Sequence, residues 1–355
     1  MQKTPILKID DLSVSFQMER GLSRAVRGVS LELFKGETLA IVGESGSGKS
    51  VTTRAVMGLL AANARVLSGS ILFEGKDLLK SSERELCRVR GSKIAMIFQD
   101  PFSSLNPIVR IGKQITEVMF IKHRQKRRLN KSEPPLTKQE ARRRAIALME
   151  EVGIADAERR FSQYPFEFSG GMRQRIVIAI ALAADPEILI CDEPTTALDV
   201  SVQAQILELL ERLKKSRDLS VIFITHDLGV VARVADRIAV MYAGKIVEVG
   251  SAEEIFYDAR HPYTWALLSS MPDLSSKGKL ASIEGAPPDP TKETVGDAFA
   301  PRNPYALEID FLQEPPFFQL SETHFAATWL LHEFAPKVSP PKAVKKRKTQ
   351  GVGTK

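Results

Sequence analysis

The sequence predicts an α/β fold with a mainly parallel core sheet, an antiparallel β subdomain, a helical subdomain and a loop-rich C-terminal extension. Three observations carry that prediction. TLAIVG (38–43), EILICDE (187–193) and LSVIFITHD (219–227) are continuous apolar runs, as in strands buried on both faces. The helical pattern VQAQILELLERLKK (202–215) lies between the last two, which makes a βαβ unit and hence a parallel pairing. The first hundred residues instead alternate short strands with turns, with a period of two in LSVSF (12–16) and VSLELF (29–34).

The remaining elements follow in order. SILFEGKDL (70–78) reads as a hairpin with Glu74-Gly75 at or near its turn. From about 100 to 185 the pattern is helical, including EARRRAIALMEEVGI (140–154). RIAVMYAGKIVEVG (237–250) is a hairpin around Ala243-Gly244, and SAEEIF opens a helix through a capping box from Ser251 to Glu254. Beyond about 272 prolines and polar residues thicken into a loop-rich accessory region, and no repeat of solenoid length is present. The expected division is a core of 1–250 containing the helical subdomain (about 100–185), an extension of 251–335 and a basic, disordered tail of 336–355.

Composition excludes several classes. Hydrophobic residues make up 43% and charged residues 26%, ordinary values for a globular protein. No run approaches the ~20 apolar residues that span a bilayer, and MQKTPILKIDDLSVSF has no apolar core of signal-peptide length. Two cysteines, Cys87 and Cys191, build no disulfide framework and fit a reducing cytosol. Much of the net charge of +7 sits in KHRQKRRLNK (122–131) and KAVKKRKTQGVGTK (342–355). The first reads as a solvated helical face or loop, the second as an end able to touch anionic lipid headgroups. Neither interleaves with aromatics as a base-stacking platform would, so no nucleic-acid partner is expected.

GESGSGKS is a full G-x-x-x-x-G-K-[ST] phosphate loop, placed after a buried strand and before the helix VTTRAVMGLL. Its residues, Gly43, Glu44, Ser45, Gly46, Ser47, Gly48, Lys49 and Ser50, with Val51 behind them, are the expected ATP-binding set. Glycines let backbone N–H groups curl around phosphate oxygens, and the helix N-terminus adds a favourable dipole. Lys49 reaches the β and γ phosphates, and Ser50 takes a Mg²⁺ position. ILICDEP (188–194) delivers Asp192 to the carboxyl edge of a buried strand, where it would hold Mg²⁺ through its water shell. Glu193 follows as the group to orient or deprotonate the attacking water, against the plainer alternative of an acidic helix cap. VIFITHD ends another apolar strand with His226, a γ-phosphate contact or a structural histidine, and Gln99 in MIFQDP could meet Mg²⁺ or water.

FSGGMRQR (168–175) is a second glycine loop leading into an apolar helix, yet it lacks a lysine. In order and spacing these motifs resemble the ATP-binding cassette (ABC) ATPases over about residues 5–250, within the P-loop NTPase fold class. FSGGM resembles their signature loop, usually LSGGQ, with Phe168 and Met172 as departures. The resemblance implies that two cassettes pack head to tail, so that Ser169, Gly170, Gly171 and Met172 cap the ATP held by the partner. That accounts for the missing lysine, because the cation is supplied by the other chain's phosphate loop. It also implies adenine stacking by Phe16 and places Asp199, in TTALD, in a loop through which subunits communicate.

QDPFSSLNP (99–107), HPYTWALLSSMP (261–272), EGAPPDP (284–290) and APRNPYALEID (300–310) resemble the larger ATPase subunit of dipeptide/oligopeptide importers. The implied partners are two membrane permeases, an extracytoplasmic peptide-binding protein and a second, related cassette, with this chain peripheral on the cytoplasmic face of the cell membrane. Phe102 and the segment 101–120 are candidates for permease docking. Many relatives carry cysteines in the extension that can ligate an iron–sulfur cluster. Asp297, Asn303, Asp310 and Thr328 stand at those places, so no cluster is expected, and the extension would hold by packing of Phe299, Tyr305, Leu307 and Trp329. Two other functions compete: the same machine carrying nickel or another small solute, and a non-transport ABC ATPase acting on DNA or ribosomes. The second usually shows tandem cassettes, coiled-coil insertions or zinc-ligand cysteines, and none is present.

Overall fold

The computed structural model describes residues 4–19, 21–196, 198–271, 283–341 and 344. The chain divides into two compact units, Met1–Leu79 with Ile224–Lys355, and Lys80–Phe223. The first opens with two long strands, β1 (Leu7–Met18) and β2 (Gly21–Leu33). The short β3 (Thr38–Val42) leads to helix α1 (Lys49–Val56), then to the hairpin of β4 (Ala64–Phe73) and β5 (Lys76–Asp77). Strands β1, β2, β4 and β5 form an antiparallel sheet in the order β2-β1-β4-β5. Its hairpin turn is Glu74-Gly75, with Phe73 opposite Lys76.

The second unit begins with α2 (Glu83–Val89), β6 (Ile94–Ile97) and the single turn α3 (Pro101–Ser104). Helix α2 falls in a stretch expected to hold only strands and turns. It buries no residue, so no apolar stripe announces it, and its signal is the capping box of Ser82 and Glu85. Helices α4 (Ile111–Leu129), α5 (Lys138–Glu151), α6 (Ala157–Arg160) and α7 (Gly170–Leu182) follow. The unit closes with β7 (Ile188–Asp192), α8 (Val200–Arg217) and the first four residues of β8 (Ser220–Thr225). These strands run in the order β8-β7-β6, with β6 and β7 parallel. Helix α7 packs against α4, α5 and α8. It is apolar almost all round, as suits a helix enclosed by neighbours. The basic cluster lies largely on α4: Arg124, Lys126, Arg127 and Arg128 are exposed, while Lys122 is half-buried and donates to the Ala184 carbonyl.

The chain then returns to the first unit through α9 (Leu228–Val234), β9 (Arg237–Tyr242) and β10 (Lys245–Ser251). Helices α10 (Ala252–Asp258) and α11 (Pro262–Ser269) follow, then the two-residue strands β11 (Phe318–Gln319) and β12 (Phe325–Ala326). Here the sheet order is β11-β12-β10-β9-β3, with β9 parallel to β3. The hairpin around Ala243-Gly244 and the capping box from Ser251 to Glu254 are both present. The core of this unit joins Val42 and Val240 to Tyr242, Tyr263, Trp265 and Phe299, so the extension shares one apolar interior with the strand that precedes the phosphate loop. Tyr305 packs on that cluster from outside, Leu307 is half-buried, and Trp329 meets Phe318 edge to face and His332 at a tilt. Of the expected tail 336–355, residues 336–341 and Val344 are described: Val338 packs against this core and Val344 is buried in it, and the rest lies outside the described residues.

Candidate functional site

The first unit carries the phosphate loop. Five buried residues of β3 deliver it to a strand end, and Lys49 and Ser50 begin α1. Gly48 has φ 105°, and a Cβ there would lie 2.5 Å from the Ala25 carbonyl oxygen, so only glycine fits at this turn. Lys49 is 4% exposed, and its Nζ donates to the carbonyl oxygens of Gly43 and Glu44, each at 2.8 Å. The ammonium therefore folds over its own loop. Phe16 lies near the end of β1, half-buried, between Ser23 of β2 and Ala64 of β4. His226 is exposed just beyond β8, and Asp227 caps α9 by accepting from the Gly229 N–H.

The second unit carries the acidic strand end. Asp192, at the end of β7, is 2% exposed. Glu193 comes next, with φ 48°, a left-handed conformation that a side-chain-bearing residue adopts only where its surroundings hold it there. Its Oε2 accepts from Gln99 Nε2 at 3.2 Å and from the Thr196 hydroxyl at 2.9 Å. Gln99 and Glu193, expected from separate strand ends, are thus brought together. Thr196 is a partner that sequence reasoning missed, although it lies only three residues from Glu193.

The lysine-free loop caps α7. Ser169 is the N-cap residue, and its hydroxyl accepts from the Met172 N–H at 3.4 Å. The two glycines meet different surroundings. A Cβ on Gly170 would find only Leu198, at 3.8 Å, whereas one on Gly171 would lie 2.6 Å from Val202 Cγ1. Gly171 is therefore required by the close approach of α7 and α8. Phe168 is buried beneath the Arg160 guanidinium, which explains how a larger ring occupies that position. Asp199 is the exposed N-cap residue of α8.

Residues 26–196 match the family described as ABC transporter, and 247–309 match the oligopeptide/dipeptide transporter C-terminal region. The chain is 59% identical to the oligopeptide transport ATP-binding protein OppD of Bacillus subtilis (strain 168), over 96% of this chain and 93% of the relative. The chain belongs to the ABC transporter family. Within it, this ABC subunit falls in the oligopeptide/dipeptide branch. It is 56% identical to the dipeptide transport ATP-binding protein DppD of Lactococcus lactis subsp. cremoris (strain MG1363), over 96% of this chain and 95% of that one. A dimeric ATP-binding cassette bound to ADP and phosphate in a post-hydrolysis state superposes with TM-score 0.59 at 26% identity, covering 69% of this chain and 98% of the other. The chain is an ATP-binding subunit of peptide-importer type, with the P-loop ATPase fold. Among the described residues no helix is long and apolar enough to cross a membrane.

Two features of the extension were not legible beforehand. Asp297, Asn303, Asp310 and Thr328 are all buried, and each side chain accepts one nearby backbone N–H, from Phe299, Tyr305, Leu307 and Leu330 respectively. These positions therefore hold four tight turns. Burial raises the Asp297 carboxyl to about 6, and the Asp310 carboxylate pushes the same way against the Phe299 N–H. The second feature is a bidentate ion pair between Arg302 and Glu44 of the phosphate loop, at 2.7 and 3.0 Å. An acidic residue inside a phosphate loop is a sequence signal for such a counter-cation.

Proposed function

We propose that this ABC subunit is one half of a cassette pair that closes on ATP, hydrolyses it and passes the reopening to permeases importing peptides. One observation carries the reading: a complete phosphate loop on α1 coexists with a lysine-free glycine loop capping α7. A helix N-terminus opened by small residues can complete an anion cage without a cation of its own, so the second loop serves the partner's nucleotide. Lys49 and the loop N–H groups hold phosphates, Phe16 stacks on adenine, Glu193 orients the attacking water with Gln99 steadying it, and His226 contacts the γ-phosphate. Asp199 stands at the opening of α8 to relay closure between subunits.

The donor set suits Mg²⁺, which keeps most of its water and takes one or two protein oxygens. In this reading the Ser50 hydroxyl would be such an oxygen, Asp192 would act through the metal's water shell, and Gln99 would meet Mg²⁺ or a water. Among the described residues no cluster of three or more His, Cys, Asp or Glu could hold a metal. Bound with ATP, Mg²⁺ would neutralise phosphate charge.

The partners are a second, related cassette, two permeases and an extracytoplasmic peptide-binding protein, with this chain peripheral on the cytoplasmic face. The segment after Gln99 supports docking, because Phe102 is 60% and Ile108 82% exposed. The test is uptake of labelled di- to oligopeptides by cells carrying Glu193→Gln, with nickel followed in parallel. Loss of peptide uptake alone is expected. Loss of nickel uptake alone would change the cargo, and retention of both would overturn the transport reading.

A further inference from the structure

We infer that Arg302, in the C-terminal extension, is a positioning residue of the nucleotide site: it neutralises and fixes Glu44, so that the extension sets the affinity of the phosphate loop for ATP. The inference rests on the phosphate-loop reading above and deepens it.

The loop's task is to surround a polyanion with N–H groups and one ammonium. Glu44, its second residue, brings a negative charge into that loop. An unpaired carboxylate there opposes phosphate binding by like-charge repulsion. The fold answers with a guanidinium whose three nitrogens all have partners. Arg302 Nη1 donates to Glu44 Oε2 at 2.7 Å and to the Tyr242 hydroxyl at 3.2 Å. Nη2 donates to Glu44 Oε1 at 3.0 Å and to the Ile283 carbonyl at 3.4 Å, and Nε donates to the Glu284 carbonyl at 2.9 Å. The Arg302 side chain is 5% exposed and that of Glu44 26%, so solvent screens the pair weakly and the fork geometry is strongly directional.

Glu44 is held at its other polar groups too. Its N–H donates to the Tyr263 hydroxyl at 2.9 Å, and its carbonyl accepts from Lys49 Nζ at 2.8 Å. Tyr263 belongs to α11, and its ring packs with those of Tyr242 and Phe299, centroids 4.5 and 5.3 Å away. Two separate pieces of the extension, α11 and the turn at 300–302, therefore converge on one phosphate-loop residue. A brace needed only for stability would be satisfied by the aromatic packing. The charge on Arg302 matters because the group it neutralises lies in the loop that must receive phosphates.

The experiment measures ATP affinity of the full-length chain by displacement of a fluorescent ATP analogue, with Arg302→Ala, Arg302→Lys, Glu44→Gln and the double variant Glu44→Gln/Arg302→Ala. Arg302→Ala should weaken ATP binding about tenfold at low ionic strength, and less as salt rises. Arg302→Lys should fall between, since it keeps charge but loses the fork. Removing Arg302 in the Glu44→Gln background should change ATP affinity by less than about twofold, against the roughly tenfold loss in the Glu44 background. A loss of about tenfold in both backgrounds, or a folded Arg302→Ala with unaltered affinity, overturns the inference. If Arg302→Ala does not fold, Arg302→Lys with and without Glu44→Gln decides by the same comparison. Lys49→Ala serves as the control: were it to bind ATP normally, the phosphate-loop reading itself would fail.

Discussion

Gln99 Nε2 and the Thr196 hydroxyl donate to the same oxygen of Glu193, at 3.2 and 2.9 Å. Gln99 follows β6 and Glu193 follows β7, two strands paired in parallel register from Ile94 opposite Ile188 to Ile97 opposite Cys191. The pairing brings both strand ends to one edge, and the hydrogen bonds then orient the carboxylate. A glutamine in place of Glu193 preserves shape but not basicity. Glu193→Gln should therefore bind ATP with near-normal affinity while phosphate release falls by about 10²–10⁴-fold. Comparable turnover in the variant would remove Glu193 from the chemistry.

Gly171 illustrates a glycine held by packing. Alanine is the better helix former by about 1 kcal/mol, but its Cβ would lie 2.6 Å from Val202 Cγ1 of α8. Valine is stiff at χ1 and cannot swing that methyl aside cheaply. Overpacking of this kind costs about 1–3 kcal/mol, so Gly171→Ala should lower the thermal midpoint. A raised midpoint would show that the two helices separate at no cost.

Asp297 makes stability depend on pH in an unusual direction for a carboxylate. Burial lifts it to about 6 from an ordinary 3.8. The folded chain thus holds that proton more tightly than the unfolded one, and this group adds stability as pH falls from above 6 towards 4. Asp297→Asn keeps an oxygen for the Phe299 N–H and removes the buried charge. The variant should be more stable than wild type at pH 7.5 by about 1–3 kcal/mol, with the gain shrinking at pH 5. Urea unfolding at both values checks it, and an Asn variant no more stable at pH 7.5 would refute the assignment.

Much of the molecule was legible from local pattern. Apolar runs identified β3, β7 and β8, turn residues identified the two hairpins, and the capping box from Ser251 to Glu254 opened α10 as expected. Each of these signals is written within a few neighbouring residues, because strand burial, turn geometry and helix capping are short-range properties of the chain. Helix α2 escaped because a helix that buries nothing leaves no periodic trace.

The sequence alone therefore determined which strand ends carry Lys49, Asp192 and Glu193, and that a second glycine loop begins an apolar helix. Tertiary structure decided what those residues touch. Gln99 meets Glu193 across 94 residues, and Arg302 meets Glu44 across 258. Gly171 must be small because Val202 of another helix lies against it. Such pairings depend on the path of the whole backbone and on charges that must be neutralised where they are buried, and no periodicity along the chain encodes them.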